Sequence, residues 1–220
     1  MWRLGNKAPI AKDIIKHFPE HDMYIEPFFG AGGIFFNKKK AKYNILNDND
    51  KLLSNFYLVL INTESRKELM EKLDLWHLNE ALLHYYKNLV SDNKVDNAVK
   101  FVVLQTTMYS AGFTPLYGFL NEKRQKIEKI KENYYKLIEN VQVMNKDFRD
   151  VLRCTSFREK RQKKRTFVYA DPPYLDVDSN YPVRRSFKEQ DLIDLFELLS
   201  SSGLKFAISH YRHDFFLTLC

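Results

Sequence analysis

The run Phe167-Val168-Tyr169-Ala170-Asp171-Pro172-Pro173-Tyr174 forces an apolar strand to stop at an acid and two prolines. Proline has no backbone N–H, so beyond Asp171 the chain offers only carbonyl acceptors in a rigid, extended turn. Asp171 and the Pro172 carbonyl together make an acceptor-only pocket. An exocyclic amine placed there donates one hydrogen to each, which draws its lone pair out of conjugation with the ring, and Tyr174 can stack on that ring. The amino nitrogen of a nucleobase is a group of this kind, prepared to attack an electrophile. Read alone, the same residues fit a strand-terminating turn as well as they fit such a pocket.

Other apolar runs end in a similar way. Met23 to Ile25 leads into Glu26-Pro27-Phe28-Phe29-Gly30-Ala31-Gly32-Gly33, Tyr43 to Leu46 into Asn47-Asp48, and Val141 to Met144 into Asp147, while Lys205 to Ser209 reads as a further strand. With a helix opening at Ile34-Phe35-Phe36, the first two runs give strand, glycine loop, helix, strand and acid, the first half of a doubly wound α/β sheet. Gly30, Gly32 and Gly33 let backbone approach a ligand closely. Asp48 stands eighteen positions beyond Gly30 at the tip of the next strand, where a carboxylate accepts ribose hydroxyls. The spacing is not G-x-G-x-x-G, and no Walker lysine follows. A ligand with a ribose and no required phosphate, such as S-adenosylmethionine, fits; a tight turn with a solvated aspartate is the alternative.

Apolar spacing predicts a helix from Ala8 to Phe18, closed by Pro19, and Ser186-Phe187-Lys188-Glu189 has the S-x-x-E form of a capping box opening a helix before the last strand. From Lys51 to about Asn140 the texture is that of amphipathic helices, interrupted at Ser110 to Gly118. The expected organisation is therefore a discontinuous catalytic domain, residues 1–54 and 141–220, carrying a helical insertion at 55–140.

A net charge of +7 and a pI near 9.2 suit a partner with many phosphates, a bias that ribosomal and membrane-surface proteins share. Lys38-Lys39-Lys40 and the run from Arg158 to Arg165 offer phosphate contacts, although solvated loops are the default reading of such charge runs and the one favoured for the second. No stretch is long or apolar enough to span a bilayer, and Met1-Trp2-Arg3-Leu4-Gly5 opens no signal peptide, so a cytoplasmic location is expected. Cys154 and Cys220 read as free thiols, and His17, His77, His84, His210 and His213 show no ligand spacing, so no metal is expected.

Taken in order, Leu4-Gly5-Asn6-Lys7, Glu26-Pro27-Phe28-Phe29-Gly30-Ala31-Gly32, Asn47-Asp48, Asp147-Phe148 and Asp171-Pro172-Pro173-Tyr174 resemble the words of the Dam-like (D12 class) adenine-N6 DNA methyltransferases, from Arg3 to about His210. The resemblance implies a seven-strand, Rossmann-like methyltransferase sheet that uses S-adenosylmethionine, with the inserted helical lobe serving target recognition. It places Trp2, Lys7, Glu26, Pro27, Phe28, Gly30 and Gly32 around the cofactor, Asp48 on its ribose, Asp147 and Phe148 on its adenine, and Asp171 beside it. Asp171, Pro172 and Tyr174 would take the target adenine, which must leave the duplex to reach them. The segment Leu175 to Arg185, with Tyr181, Arg184 and Arg185, would be a lid over that base or an ordinary surface loop. Around Tyr109 to Arg124, Gly112-Phe113-Thr114 only partly echoes the family's recognition pattern, so GATC is not expected as the target. His210 follows Ser209 where the family commonly has asparagine.

Family members usually continue past the Lys205-to-Ser209 strand into a helix and a hairpin, so a chain ending at Cys220 is expected to lack the last strands, with a second subunit one way to cover the edge. The leading expectation is site-specific adenine methylation of double-stranded DNA, of restriction-modification, orphan or phage type. The alternatives are a truncated, non-catalytic DNA- or cofactor-binding subunit, and methylation of RNA adenine or of cytosine N4.

Overall fold

The computed structural model describes residues 7–75, 80–107, 128, 130, 141–157, 159–175 and 187–210. The chain forms two compact units, one from Met1–Lys12, Gly30–Lys38 and Lys51–Glu139, the other from Asp13–Phe29, Lys39–Asp50 and Asn140–Cys220.

Among the described residues, the second unit is built on five parallel strands: β1 (Met23–Glu26), β2 (Tyr43–Asn47), β3 (Val141–Met144), β4 (Thr166–Ala170) and β5 (Lys205–Ile208). Their order is β3-β2-β1-β4-β5. Because β2 and β3 step away from β1 on one side and β4 and β5 on the other, the direction of winding reverses between β1 and β4. In open α/β sheets, ligands bind in the crevice at the carboxyl ends of such a pair.

Register divides the two faces chemically. Met23 and Ile25 share a face with Val168 and Ala170, and on it pack the helices Phe148–Cys154 and Glu189–Ser202 through Phe148, Val151, Leu192, Leu195 and Leu199. Side chains alternate along a strand, so the opposite face carries Tyr24 and Glu26 of β1 and Phe167 and Tyr169 of β4. Phe18 covers that face, with ring centroids 4.6 Å from Phe167 and 5.3 Å from Tyr169.

Local chemistry adjusts three predicted helices. The expected Ala8–Phe18 helix is a 3-10 turn, Ala8–Ile10, followed by a short helix, Ala11–Ile15. It tightens into bonds from His17 N–H to the Ile14 carbonyl and from Phe18 N–H to the Ile15 carbonyl, as the Phe18 ring joins the aromatic cluster. The helix expected at Ile34-Phe35-Phe36 is only a 3-10 turn, Phe35–Asn37, because the chain is extended again at Lys38 and the lysines that follow offer no apolar face to bury. The helix before β5 starts at Glu189 with Lys188 as its cap, and its box is closed by Asp191, whose Oδ2 accepts the Lys188 N–H at 2.7 Å, rather than by Ser186 and Glu189. Ser186 lies outside the described residues.

That helix ends at Gly203, which adopts φ +66°. An added Cβ would meet only Lys163 Cε and Nζ at 3.8 Å, so the glycine is required by conformation and not by space. Gly203→Ala should cost about 1 kcal/mol, read as a lowered urea midpoint; an unchanged midpoint would refute this account of the helix end.

The first unit is helical: Lys51–Ile61, Thr63–Leu75, Glu80–Asn88 and Lys94–Thr107. The first and last pack through buried Leu53, Phe56, Leu60, Val99 and Phe101, with the Phe56 and Phe101 rings 5.1 Å apart. Asn93 caps the last of these, its Oδ1 accepting the Val95 and Asp96 N–H groups. Lys72 Nζ bonds Asp96 at 2.7 Å and Glu68 at 2.8 Å, which raises its pKa to about 12. No helix among the described residues is long and apolar enough to cross a membrane.

Candidate active site

The carboxyl edge of the sheet gathers acids because four of the strands, β1 to β4, lead into one: Glu26, Asp48, Asp147 and Asp171. Glu26 ends β1 and is 2% exposed, accepting the Tyr24 hydroxyl at 2.8 Å. Burial first, and then the charge of Glu26, push the Tyr24 phenol well above its usual range. At the end of β2, Asp48 Oδ1 accepts the Asp50 N–H at 2.9 Å, which fixes the carboxylate at the strand tip. Asp147, after β3, caps the helix Phe148–Cys154 by accepting the Arg149 N–H at 2.9 Å.

Beneath these tips lies Asn47, 1% exposed. Its Nδ2 donates to the Pro27 and Lys146 carbonyls at 2.9 and 3.0 Å, and its Oδ1 accepts the Lys146 N–H at 2.9 Å. One amide thus braces the ends of three neighbouring strands. The Phe29 N–H adds a bond to the Asn47 carbonyl at 2.7 Å. Phe28 leaves this braced loop to pack on Phe148 and Phe187, at centroid distances of 5.2 and 5.8 Å.

Arg149 ties Asp147 to the helix before β5. It contacts Asp147 Oδ2 at 3.2 Å, Asp191 Oδ1 at 2.5 Å and Asp194 Oδ2 at 2.6 Å, and its guanidinium carbon sits 4.4 Å from the centre of the Phe148 ring. Partial burial works against the Arg149 charge, but the bonds to Asp191, Asp194 and Asp147 outweigh it and raise the pKa.

Across the switch point, Asp171 follows β4 and is partly buried, and Pro172 is buried. Asp171 Oδ1 accepts the Ser209 hydroxyl at 2.5 Å and the Tyr174 hydroxyl at 3.1 Å. Tyr169 donates to Ser209 Oγ at 3.1 Å. His210 packs edge-on against the Tyr174 ring, centroids 5.1 Å apart. Burial, followed by the negative charge of Asp171, raises the Tyr169 phenol, while its bond to Ser209 opposes the shift.

Both tyrosines therefore hold their protons in the folded state beyond the pH, about 10, at which an unfolded tyrosine loses them. Their contribution is intact below pH 10 and is lost as the pH climbs from there toward the raised folded values; Lys72 acts in the same direction. Urea unfolding from pH 9 to 11 should show stability falling above pH 10. Tyr169→Phe should flatten that fall by up to about 1.4 kcal/mol per pH unit, and an identical slope would show that Tyr169 does not ionise on unfolding.

The second unit thus brings together Glu26, Pro27, Phe28, Asp48, Asp147, Phe148, Asp171, Pro172 and Tyr174 at one edge of one sheet. Lys7, Gly30 and Gly32 belong to the first unit, the two glycines at φ +51° and +71° and the Gly30 carbonyl accepting the Tyr57 hydroxyl at 3.4 Å. Trp2, the segment 176–186 and the region from Tyr109 to Arg124 lie outside the described residues, as does Cys220. Cys154 is an exposed thiol. Among the described residues, no three His, Cys, Asp or Glu side chains gather as a metal site.

Asn47, Arg149, Tyr169, Phe187 and Ser209 were not singled out as site residues by sequence. Asn47 carried a signal, an asparagine directly before an acid at a strand tip. For Ser209 the signal exists only once β4 and β5 are in register, since Ala170 pairs with Ile208 and the next residues are then neighbours.

The run Glu159 to Arg165 leads into the amino end of β4, the edge opposite Asp171, roughly 16 Å away along the strand. Its Arg165 pairs with Asp22, and that bond lowers the Asp22 pKa. These cations are placed away from the acidic edge.

Comparison with known proteins decides the family. The model of the D12 class N6 adenine-specific DNA methyltransferases matches residues 4–219. The chain belongs to this family. It is 27% identical to the DNA adenine methylases of Salmonella typhi and Escherichia coli K12 over 225 aligned residues, covering 97% of this chain and 80% of each relative. It is also 24% identical to the modification methylase StsI of Streptococcus sanguinis, over 94% of this chain and 34% of that protein. The parallel sheet with its acids at the carboxyl edge is the Rossmann-like architecture of these adenine-specific DNA methyltransferases, whose reaction requires a methyl donor.

Proposed function

We propose that this methyltransferase moves the methyl group of S-adenosylmethionine to N6 of an adenine turned out of double-stranded DNA, using the carboxyl edge of the second unit. The observation that carries this reading is Asp171, a partly buried acceptor at the end of β4, held by two hydroxyl donors and followed by two prolines.

The donor's chemistry fits the neighbouring acids. S-adenosylmethionine presents an ammonium, two ribose hydroxyls and an adenine amine, all hydrogen-bond donors, and Glu26, Asp48 and Asp147 are acceptors at three adjacent strand tips. Asp48 suits the ribose, Asp147 with Phe148 the cofactor adenine, and Glu26, Pro27 and Phe28 the wall between them, with Trp2, Lys7, Gly30 and Gly32 as further contacts. When bound, the cofactor supplies a methyl group on a positively charged sulfur that leaves neutral.

The chain's own residues then have few tasks. Asp171 and the Pro172 carbonyl accept the two N6 hydrogens and localise the lone pair, and Tyr174 holds the ring face. With the donor bound, N6 would take the methyl group by direct displacement of the neutral thioether, and the extra N6 proton would pass to water. Orientation accounts for much of the rate, with Asp171 an acceptor rather than a strong base. The region from Tyr109 to Arg124 in the helical insertion, residues 55–140, is the reading head in this proposal, and Leu175 to Arg185 the lid.

Labelled methyl transfer to unmethylated DNA, followed by nuclease digestion, tests the reading. Labelled N6-methyladenine supports it. Cofactor binding without label on DNA overturns it in favour of an RNA substrate or a binding-only subunit.

A further inference from the structure

We infer that Ser209 and Tyr169 are positioning residues of the transfer reaction, forming a hydroxyl relay that sets the orientation of the Asp171 carboxylate before the target amine arrives. The inference rests on the proposed role of Asp171 and deepens it.

The relay is a product of register. β4 and β5 run parallel with Tyr169 opposite Ala207 and Ala170 opposite Ile208. The Ser209 N–H continues that ladder by donating to the Ala170 carbonyl at 2.9 Å, which brings Ser209 alongside Asp171 on the face that also bears Tyr169. The hydroxyls then point one way. Tyr169, 1% exposed, donates to Ser209 Oγ at 3.1 Å, and Ser209 donates onward to Asp171 Oδ1 at 2.5 Å. Ser209 has one hydrogen to give, and because the buried phenol's proton lies on the Tyr169 side of its oxygen, its own hydrogen is directed at the carboxylate.

The Tyr174 hydroxyl reaches the same Oδ1 at 3.1 Å. Two donors converging on one oxygen from different elements define the plane of the carboxylate. In the transfer step positive charge develops on N6, so an acceptor already aimed at it spends nothing on reorientation. A carboxylate without the relay must find that orientation in each turnover, and a misalignment of an ångström is enough to cost much of the rate.

The test compares Ser209→Ala, Ser209→Thr and Tyr169→Phe, with Asp171→Ala as reference, in the full-length protein with S-adenosylmethionine and unmethylated DNA. Ser209→Ala should lower kcat roughly 10- to 100-fold while KM for DNA, calorimetric affinity for S-adenosylmethionine and urea midpoint stay near wild type. Ser209→Thr, which keeps the hydroxyl, should recover most of that loss, and Tyr169→Phe should fall between wild type and Ser209→Ala. Wild-type kcat in Ser209→Ala beside an inactive Asp171→Ala overturns the relay and leaves the Asp171 reading standing. Activity retained in Asp171→Ala overturns that reading itself. A loss of kcat in Ser209→Ala that Thr does not restore, or that tracks a lowered midpoint, makes Ser209 structural and also overturns the relay.

Discussion

Replacing Asp171 by alanine should reduce methyl transfer by on the order of 10^3-fold or more while leaving affinity for S-adenosylmethionine largely intact. The separation of the two effects follows from where the acid stands. Asp171 follows β4 on one side of the switch point, whereas Glu26, Asp48 and Asp147 follow β1, β2 and β3. Removing the carboxylate takes away the proposed acceptor for the attacking amine, along with the shared partner of Ser209 and Tyr174. It leaves the three other strand tips untouched. The Ser209 hydroxyl, set free, can turn to water at this partly exposed position, so the substitution should cost little stability. Transfer measured in single turnover, with cofactor affinity from calorimetry, decides the matter. Undiminished turnover would remove Asp171 from the mechanism, and a parallel collapse of cofactor affinity would move it into the cofactor site.

Much of this edge could be read directly from the chain, because it is local. A strand that must stop at Asp171 and two prolines, or at Glu26-Pro27, announces its end within a few residues, and all five observed strands lie within a residue of their expected bounds. The errors arose where a helix depended on something outside its own window. Ile34-Phe35-Phe36 has the composition of a helix start, but nothing apolar follows to give a second turn a face to bury. Glu189 has the spacing of a capping residue from Ser186, yet Asp191 sits one turn in from Lys188 and reaches back to it. What sequence could not show at all was long-range adjacency. Ser209 and Asp171 are 38 residues apart, and Asn47 and Lys146 are 99 apart, and each pair meets only because two strands lie side by side.

That last adjacency leads to the largest expected loss of stability. Asn47→Ala should cost about 3 kcal/mol. The amide answers three backbone groups at once: the Pro27 carbonyl in a buried bond, and the Lys146 carbonyl and Lys146 N–H in part-buried ones. Two of these need a donor and one needs an acceptor, so the side chain has a single usable orientation and no other residue type of its size supplies both. Alanine leaves all three to whatever water can enter at a position 1% exposed. Asn47→Asp sharpens the test, because it keeps an acceptor for Lys146 N–H but turns both donated bonds into contacts between a carboxylate and carbonyl oxygens, with a buried charge added. It should therefore be at least as destabilising as alanine. Since Asn47 is joined directly to Asp48 and braces the loop through Pro27 and Phe29, affinity for S-adenosylmethionine should also fall at temperatures well below unfolding. Urea midpoints for the two variants test the brace, and calorimetry on the folded proteins tests its link to the site. An Asn47→Asp protein more stable than Asn47→Ala would show that the donated bonds are not what holds the three strand ends together.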